Sequence, residues 1–315
     1  MAFIQIKRSL MIFSLLYLFM TTLIEAKLAA KEAKLHFGKI LFIVKYNYHA
    51  PLEKLLLHSS LWSKIFEHQL LVAPYNTSML QFAKEKVGDN IEMLSCKSDD
   101  EFGYLAYSSL STAINMYPHY EGYLYAHDDM ALNISKLRDL DLHSFWQSDY
   151  DPSTSFTSTS MPTILDDTWT FRNHSWPWFN RYQGIDAMQN ALRKYPIIRE
   201  GLEQCTGSQK RWFIGPSDFL YVPQQQSSLY INIMEKLAAE KVFLEIAIPT
   251  FIACFVSKKI VEKIIVCTFY DENRGNIAHM SHFCPPLSSA FHPVKISGHH
   301  NFKFMIEKSD VSFEP

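Results

Sequence analysis

Two adjacent aspartates, Asp128 and Asp129, follow an apolar run with the composition of a buried strand, and His127 stands directly before them in the segment GYLYAHDD. Neighbouring carboxylates repel each other, so each raises the pKa of the other, and a buried unpaired carboxylate costs several kcal/mol. The pair therefore requires solvent, basic partners or a cation. A cation at this position would be a hard, oxygen-seeking ion such as Mg2+ or Mn2+.

A structural interpretation of the pair is also open. The two aspartates could cap a short helix in the segment MALNISKL, and similar dipeptides occur at Asp99-Asp100 and Asp166-Asp167. The position of the pair after a strand favours the metal interpretation, because ligands of open α/β sheets bind beyond the carboxyl ends of the strands.

Two further carboxylates are candidate general bases. Glu245 stands alone in the apolar run FLEIAIPTF, where desolvation would raise its pKa toward the range useful for a base. The alternative is a structural carboxylate bonded to the backbone or to an arginine. Asp218, in GPSDF, is a second candidate base or acceptor contact, although a turn-forming role also explains it.

The elements that would position these residues alternate in type. The runs KILFIVK, QLLVA, IEMLSC and GYLYA have strand length, and helical patterns separate the first from the second and the third from the fourth. Strands that are apolar on both faces indicate a mostly parallel sheet covered by helices. The sequence therefore predicts an α/β fold, with a single large domain over residues 38–315.

The second half of the chain is less regular. Helices are predicted over Ile185–Tyr195 and around Leu229, Ile233 and Leu237, and RWFIGPSDFLYVP is predicted to be a strand with a Gly-Pro interruption. The segment from Asp149 to Asp167 is rich in Ser, Thr and Pro and is predicted to be a long surface loop or an insertion.

The first 26 residues have the features of a secretory address. Lys7 and Arg8 precede the apolar stretch Ser9–Ile24, and Ala26 ends a small-residue site. We expect a signal peptide or a type II signal anchor, since the stretch is slightly shorter than the ~20 residues of a spanning helix. Residues 27–37 would form a linker or stem. The protein would then be located in the Golgi lumen, membrane-bound if the segment is uncleaved, or be secreted.

The composition of the chain limits the classes of partner that the protein can bind. The formal net charge is −2 and 48% of the residues are hydrophobic, so the chain lacks the basic field that nucleic-acid binding requires. The five cysteines include no C-x-x-C pair, which argues against a structural zinc site, and in an oxidising compartment some of them would pair. Three N-glycosylation triplets, at Asn76, Asn133 and Asn173, fit a lumenal chain.

The secretory address, the alternation beginning with KILFIVKYN and the aspartates after the strand together resemble a glycosyltransferase of the GT-A type. Such enzymes bind a nucleotide sugar on a Rossmann-like sheet and hold its diphosphate through a D-x-D motif, often with Mn2+. In this chain His127 replaces the first aspartate of that motif. The resemblance covers about Lys39 to Ala131 in pattern.

The resemblance implies roles for several residues. Asp129 would be the direct metal ligand, Asp128 a metal ligand or a ribose contact, and His127 a nucleotide contact. His292, in AFHPVKIS, would be a further metal ligand, as a histidine near the end of the domain is in several GT-A families, with His299 and His300 as rivals. Lys295 would contact phosphate.

The acceptor implied by the resemblance is a glycan or glycoprotein. In an inverting enzyme Glu245 would deprotonate the acceptor hydroxyl, and the aromatic residues between Trp169 and Tyr182 could stack on sugar rings or simply pack. Two other classes remain open: a non-catalytic carbohydrate-binding relative, and a metallohydrolase that activates water through Asp128, Asp129 and His292.

Overall fold

The computed structural model describes residues 36–46, 51–74, 81–82, 84–85, 91–95, 105–150, 163–166, 184–268, 284 and 288–294. The strands in these ranges are β1 (Ile40–Lys45), β2 (His68–Ala73), β3 (Ile91–Ser95), β4 (Gly122–His127), β5 (Ala131–Leu132), β6 (Phe145–Tyr150), β7 (Thr163–Asp166), β8 (Arg211–Ile214), β9 (Phe219–Pro223), β10 (Val261–Thr268) and β11 (Ala290–His292). The helices are α1 (Leu52–Trp62), α2 (Ala106–Met116), α3 (Ile134–Arg138), α4 (Ile185–Lys194), α5 (Pro196–Thr206), α6 (Ser227–Ala239) and α7 (Leu244–Phe255).

Nine of the described strands form one mixed sheet in the order β3-β2-β1-β4-β9-β6-β10-β11-β5. Neighbouring strands are parallel except where β9 pairs with β4 and β6, and where β5 pairs with β11. The strands β7 and β8 form a separate antiparallel pair. The predicted α/β class, with a mostly parallel sheet flanked by helices, is confirmed.

Side chains of β1 alternate between two cores, as a period of two residues requires. Ile40, Phe42 and Val44 pack on the face covered by α1, whereas Leu41 and Ile43 pack on the face covered by α2 and α4 to α7. Because both faces are buried, the strand reads as a continuous apolar run. The molecule is thus a three-layer arrangement in which the sheet lies between helices.

Most helix predictions agree with the structure. The helix predicted over Ile185–Tyr195 is α4, and the set of Leu229, Ile233 and Leu237 lies on α6. Helix α2 ends at Met116, two residues before Pro118, as expected because a proline disfavours helical geometry in the residue before it.

The segment from Asp149 to Asp167, predicted to be a long surface loop or an insertion, contains strand residues near both of its ends, so the loop prediction is wrong there. Asp149 and Tyr150 belong to β6 and pair with Ile265 and Val266 of β10, and residues 163–166 form β7 against β8. The Ser-rich and Pro-rich composition indicated a loop, but pairing with strands distant in sequence overrides that local preference. The segment RWFIGPSDFLYVP, predicted to be one interrupted strand, forms two strands, β8 and β9, which belong to different sheets.

The main sheet must curl. Four residue steps separate His127, at the end of β4, from Ala131, at the start of β5, and four steps span at most about 14 Å. On a flat sheet five strand spacings would place these strands about 24 Å apart. The curl therefore brings β11 and β5 close to the end of β4.

The side chain of Asn133 caps α3. Its Oδ1 accepts a hydrogen bond from the backbone nitrogen of Lys136, and its Nδ2 donates to the backbone oxygen of Ser288 at 3.2 Å. An asparagine at this position satisfies one of the unpaired backbone donors of the first helical turn. Asn133 therefore has a structural role in addition to its place in a glycosylation triplet.

Two disulfides join the described cysteines. Cys205 bonds to Cys254, which connects the end of α5 to α7, and Cys267 of β10 bonds to Cys284. Cys96 lies outside the described residues.

Candidate functional site

The candidate site lies at the edge of the sheet where β1, β4 and β11 end, which we call the carboxyl edge. Because β9 is antiparallel, its first residue, Phe219, pairs with Ala126 near the end of β4. Asp218 therefore lies beside His127, whose backbone nitrogen donates a hydrogen bond to the backbone oxygen of Asp218 at 3.0 Å. At the end of β11, the backbone nitrogen of Val294 donates to the backbone oxygen of Asp129. Residues far apart in sequence thus meet at one edge.

The two adjacent aspartates have different partners. The carboxylate of Asp128 forms a salt bridge with Lys54 of α1, and the side chains are only 4% and 10% exposed. Oδ1 of Asp129 lies 3.1 Å from Nε2 of His292, and both residues are buried. These contacts explain how the chain tolerates two carboxylates side by side, because each meets a basic group.

Asp218 lies between two imidazole rings. Its Oδ1 is 3.4 Å from Nδ1 of His127, and its Oδ2 is 3.7 Å from Nδ1 of His292. Burial lowers the pKa of His127, although Asp218 and the other carboxylates act in the opposite direction. The structure therefore brings together four residues that the sequence singled out: His127, Asp129, Asp218 and His292.

Glu245 lies in the first turn of α7, near this group. It is partly exposed, and its backbone oxygen accepts a hydrogen bond from Gly215 at 3.0 Å, in the segment that leads to Asp218. Desolvation, followed by the charge of Asp218, raises the pKa of Glu245 well above its usual range. The helix N-terminus favours the ionised form and opposes this shift. Glu245 is thus a carboxyl group whose proton is held more tightly than that of an ordinary glutamate.

Helix α1 contributes two residues that sequence reasoning missed. Lys54 binds Asp128. One helical turn later, Nδ1 of His58 forms a hydrogen bond of 2.6 Å with the hydroxyl of Tyr46. Burial and the charge of Lys54 lower the pKa of His58 to about 3, so that its ring is neutral.

The spacing of four residues places Lys54 and His58 on one face of the helix. That spacing, in a helix directly after the first strand, was the available signal.

The donor set fits a hard divalent cation with few protein ligands. Two ligands in adjacent positions of an octahedral ion lie about 3 Å apart at the usual metal–ligand distances, which matches the Asp129–His292 separation. Among the described residues, no group of three His, Cys, Asp or Glu side chains forms a ready-made metal site. Ions of this kind are commonly held by one or two carboxylates, with substrate phosphates completing the shell.

Several predicted site residues lie outside the described part of the chain. These are Lys295, His299, His300, the aromatic residues from Trp169 to Tyr182, and the glycosylation triplets at Asn76 and Asn173. The predicted signal segment also lies there. In the ranges given above, no helix has both the length and the apolar character needed to cross a membrane.

The sequence matches no protein-family model and no curated protein. Solved structures similar to this chain include a glycosyltransferase involved in glycosylation of the major capsid of PBCV-1, at 9% identity and TM-score 0.36 over 85% of this chain and 98% of that one. Another is glucosyl-3-phosphoglycerate synthase from Mycobacterium tuberculosis in complex with Mn2+ and UDP, at 9% identity and TM-score 0.34 over 90% and 84%.

A third similar structure is the glycosyltransferase GlyE of Streptococcus pneumoniae, at 10% identity and TM-score 0.38 over 86% of this chain and 60% of that one. Scores and identities of this size do not assign an activity. The function of this chain has to be inferred from its own residues at the carboxyl edge.

Proposed function

We propose that this protein is a metal-dependent glycosyltransferase of the GT-A type, which transfers a sugar from a nucleotide-diphosphate donor to a glycan or glycoprotein acceptor. The observation that carries the proposal is the meeting of Asp129 and His292, 163 residues apart, with 3.1 Å between Oδ1 and Nε2. A carboxylate and an imidazole at this spacing, on the edge where α/β proteins bind ligands, are suited to hold Mn2+ or Mg2+.

In this proposal Asp129 and His292 hold the metal ion. When bound, the ion supplies positive charge against the leaving diphosphate. Asp128 is committed to Lys54 and therefore acts on the site indirectly, by fixing the backbone that carries Asp129. His127 contacts the nucleotide, and Lys295 contacts phosphate.

The charge balance of the edge also supports a metal-assisted site. The carboxylates of Asp128, Asp129 and Asp218 lie at this edge, where the ammonium group of Lys54 binds the carboxylate of Asp128. Carboxylates that face a bound diphosphate would repel it. A divalent cation held there would offset those negative charges and so make the edge attractive to a nucleotide diphosphate.

Glu245 is the proposed general base, with Asp218 as the rival. A carboxylate with a raised pKa is a stronger base once it is ionised, which suits removal of a proton from an acceptor hydroxyl. Asp218 is held between two imidazoles and is better placed to orient them.

We place the protein in the lumen of the secretory pathway, as a Golgi or secreted enzyme, with the N-terminal segment as its signal or membrane anchor. The basic and apolar pattern of that segment supports this location. The two disulfides support it as well, because such bonds persist mainly in oxidising compartments.

The test is calorimetric titration of UDP and of GDP into the full-length protein, with and without Mn2+. We expect nucleotide binding that requires the metal, and we expect Asp129→Asn to weaken it by more than about a hundredfold, beyond the loss caused by removing an outer-shell partner. The matched control is Asp139→Asn, at an exposed aspartate after α3, which should bind like the wild type.

Absence of binding for both nucleotides under all metal conditions would contradict the proposal. Metal-independent binding that Asp129→Asn leaves intact would also contradict it, and would favour a carbohydrate-binding or other role for the sheet.

A further inference from the structure

Lys45 is a buried cation whose ammonium group has no hydrogen-bond partner among the described residues. It is the last residue of β1, its side chain is 0% exposed, and its ammonium nitrogen has no hydrogen-bond acceptor within the described structure. The hydroxyl of Tyr125, on the neighbouring strand β4, is likewise fully buried and unpaired in those residues. Buried polar groups are nearly always paired, so two such groups on adjacent strands call for an explanation.

These side chains lie on one face of the sheet. Lys45 pairs in register with His127, and Ile43 pairs with Tyr125, so the alternation of the two parallel strands places Lys45, Tyr125 and His127 on the same side. The backbone oxygen of Lys45 accepts a hydrogen bond from the nitrogen of Asp128 at 3.0 Å. Lys45 is thus fixed directly beside the candidate metal site.

The free-energy cost of burying the Lys45 ammonium group indicates that this residue has a function. An ammonium group buried without a partner lowers the stability of the fold, and an apolar side chain of similar length at the same position would avoid that cost. Lys45 and Tyr125 can both donate hydrogen bonds, since burial and then the charge of Asp218 raise the pKa of the tyrosine and keep its hydroxyl protonated. A ligand for both must be rich in acceptors and negatively charged.

We propose that Lys45 and Tyr125 form an oxyanion-binding site that accepts phosphate oxygens at the carboxyl edge. Its natural ligand is the diphosphate of the donor, and that identification rests on the proposed function, whereas the anion site itself does not. Both groups are closed to solvent, so binding requires a local opening at the end of β1.

The first test uses inorganic pyrophosphate as the probe, in metal-free buffer, with Asp129→Asn as the starting variant. This variant removes the proposed metal ligand and one negative charge, so the anion site is measured apart from metal-dependent donor binding. We expect calorimetry to show pyrophosphate binding to Asp129→Asn that is about tenfold to a hundredfold weaker when Lys45→Met is added, as for the loss of a charge-assisted hydrogen bond.

The matched control in that background is Lys39→Met, at the opposite end of β1, where the lysine is 74% exposed. It removes the same charge and should leave pyrophosphate affinity unchanged. Equal weakening by Lys39→Met and Lys45→Met, or no pyrophosphate binding at all, would overturn the proposal.

The second test is chemical unfolding of the wild type and of Lys45→Met. An unpartnered buried ammonium predicts that Lys45→Met unfolds at a higher denaturant concentration than the wild type. A lower midpoint would show that Lys45 stabilises the fold, and would overturn the proposal.

Titration of UDP with Mn2+ then identifies the natural ligand, because weaker binding by Lys45→Met is expected only if the oxyanion site receives the donor diphosphate.

Discussion

The two ends of β1 and β4 carry the same kind of ion pair in opposite surroundings. At the amino ends, Lys39 binds Glu121 at 2.7 Å, and these side chains are 74% and 51% exposed. At the carboxyl ends, Lys54 binds Asp128, and the side chains are 10% and 4% exposed. The residue types are closely similar, but the amount of water around them differs by a large factor.

This difference in exposure determines how much each ion pair contributes to stability. An exposed pair contributes little, because water solvates each partner well and the ordering of two long side chains offsets the attraction. A buried pair depends on both partners, because the loss of one leaves an uncompensated charge in a poorly solvated place. The carboxyl edge therefore maintains costly charges that the amino edge does not.

The largest expected effect is on the buried pair. Lys54→Met removes the ammonium group that binds the buried Asp128 carboxylate, and we expect a loss of about 3–5 kcal/mol in the free energy of unfolding. Urea denaturation of the wild type and the variant measures this loss.

The matched control for that prediction is the double variant Lys54→Met/Asp128→Leu. Removing both charges should restore most of the stability, because no buried charge remains unpaired. If the single variant unfolds like the wild type, the comparison between the two edges fails, since the Lys54–Asp128 pair would then behave like a surface pair.

A smaller effect is expected from Glu245, which tests whether the carboxyl edge is poorly solvated beyond that pair. Its pKa is raised from the usual 4.5 by burial and by Asp218, so the folded state holds the proton more tightly than the unfolded state. The stability contributed by this group is present below about pH 4.5 and is lost as the pH rises toward the raised pKa.

Glu245→Gln removes this dependence. We expect the stability of the wild type relative to the variant to fall as the pH rises from 4.5, and thermal unfolding across that range measures it. The effect should be smaller than that of Lys54→Met because Glu245 is partly exposed. A difference that stays constant with pH would show that the edge is better hydrated than the buried pair indicates.

The smallest effect is expected at the amino edge. Lys39→Met removes a lysine whose side chain is 74% exposed, so the denaturation midpoint should not change measurably. A clear destabilisation would mean that the exposed pair is coupled to the sheet, and would remove the contrast between the two ends.

The sequence predicted the parts of the fold that have local signals. The strands β1 to β4 were predicted from their apolar runs, and the helices α1 and α2 from the helical period of their apolar residues. The two charged residues Asp128 and Asp129 marked the end of β4. The sequence could not predict that β9 enters the sheet antiparallel between β4 and β6, because strand order depends on pairing between distant segments.

That insertion decides the neighbours of Asp218, for which the sequence had left a base, an acceptor contact and a turn-forming residue open. The partnership of Asp128 with Lys54 was unpredicted for the same reason, since 74 residues separate them. His292 was singled out only through resemblance to a family, because a single histidine has no periodic signal. The loop predicted over Asp149–Tyr150 was wrong because composition alone does not report a distant strand partner.

The wide sequence separation between Asp129 and His292 also has a consequence in time. At a synthesis rate of roughly 5–20 residues per second, His292 leaves the ribosome about 8 to 33 seconds after Asp129. During that interval β4 and β1 can already pair, while the carboxylate of Asp129 and the future edge against β11 remain open. The nascent chain therefore passes through a stage in which its sheet is largely built but its candidate site is unfinished, and the unpaired strand edge at that stage is prone to aggregation.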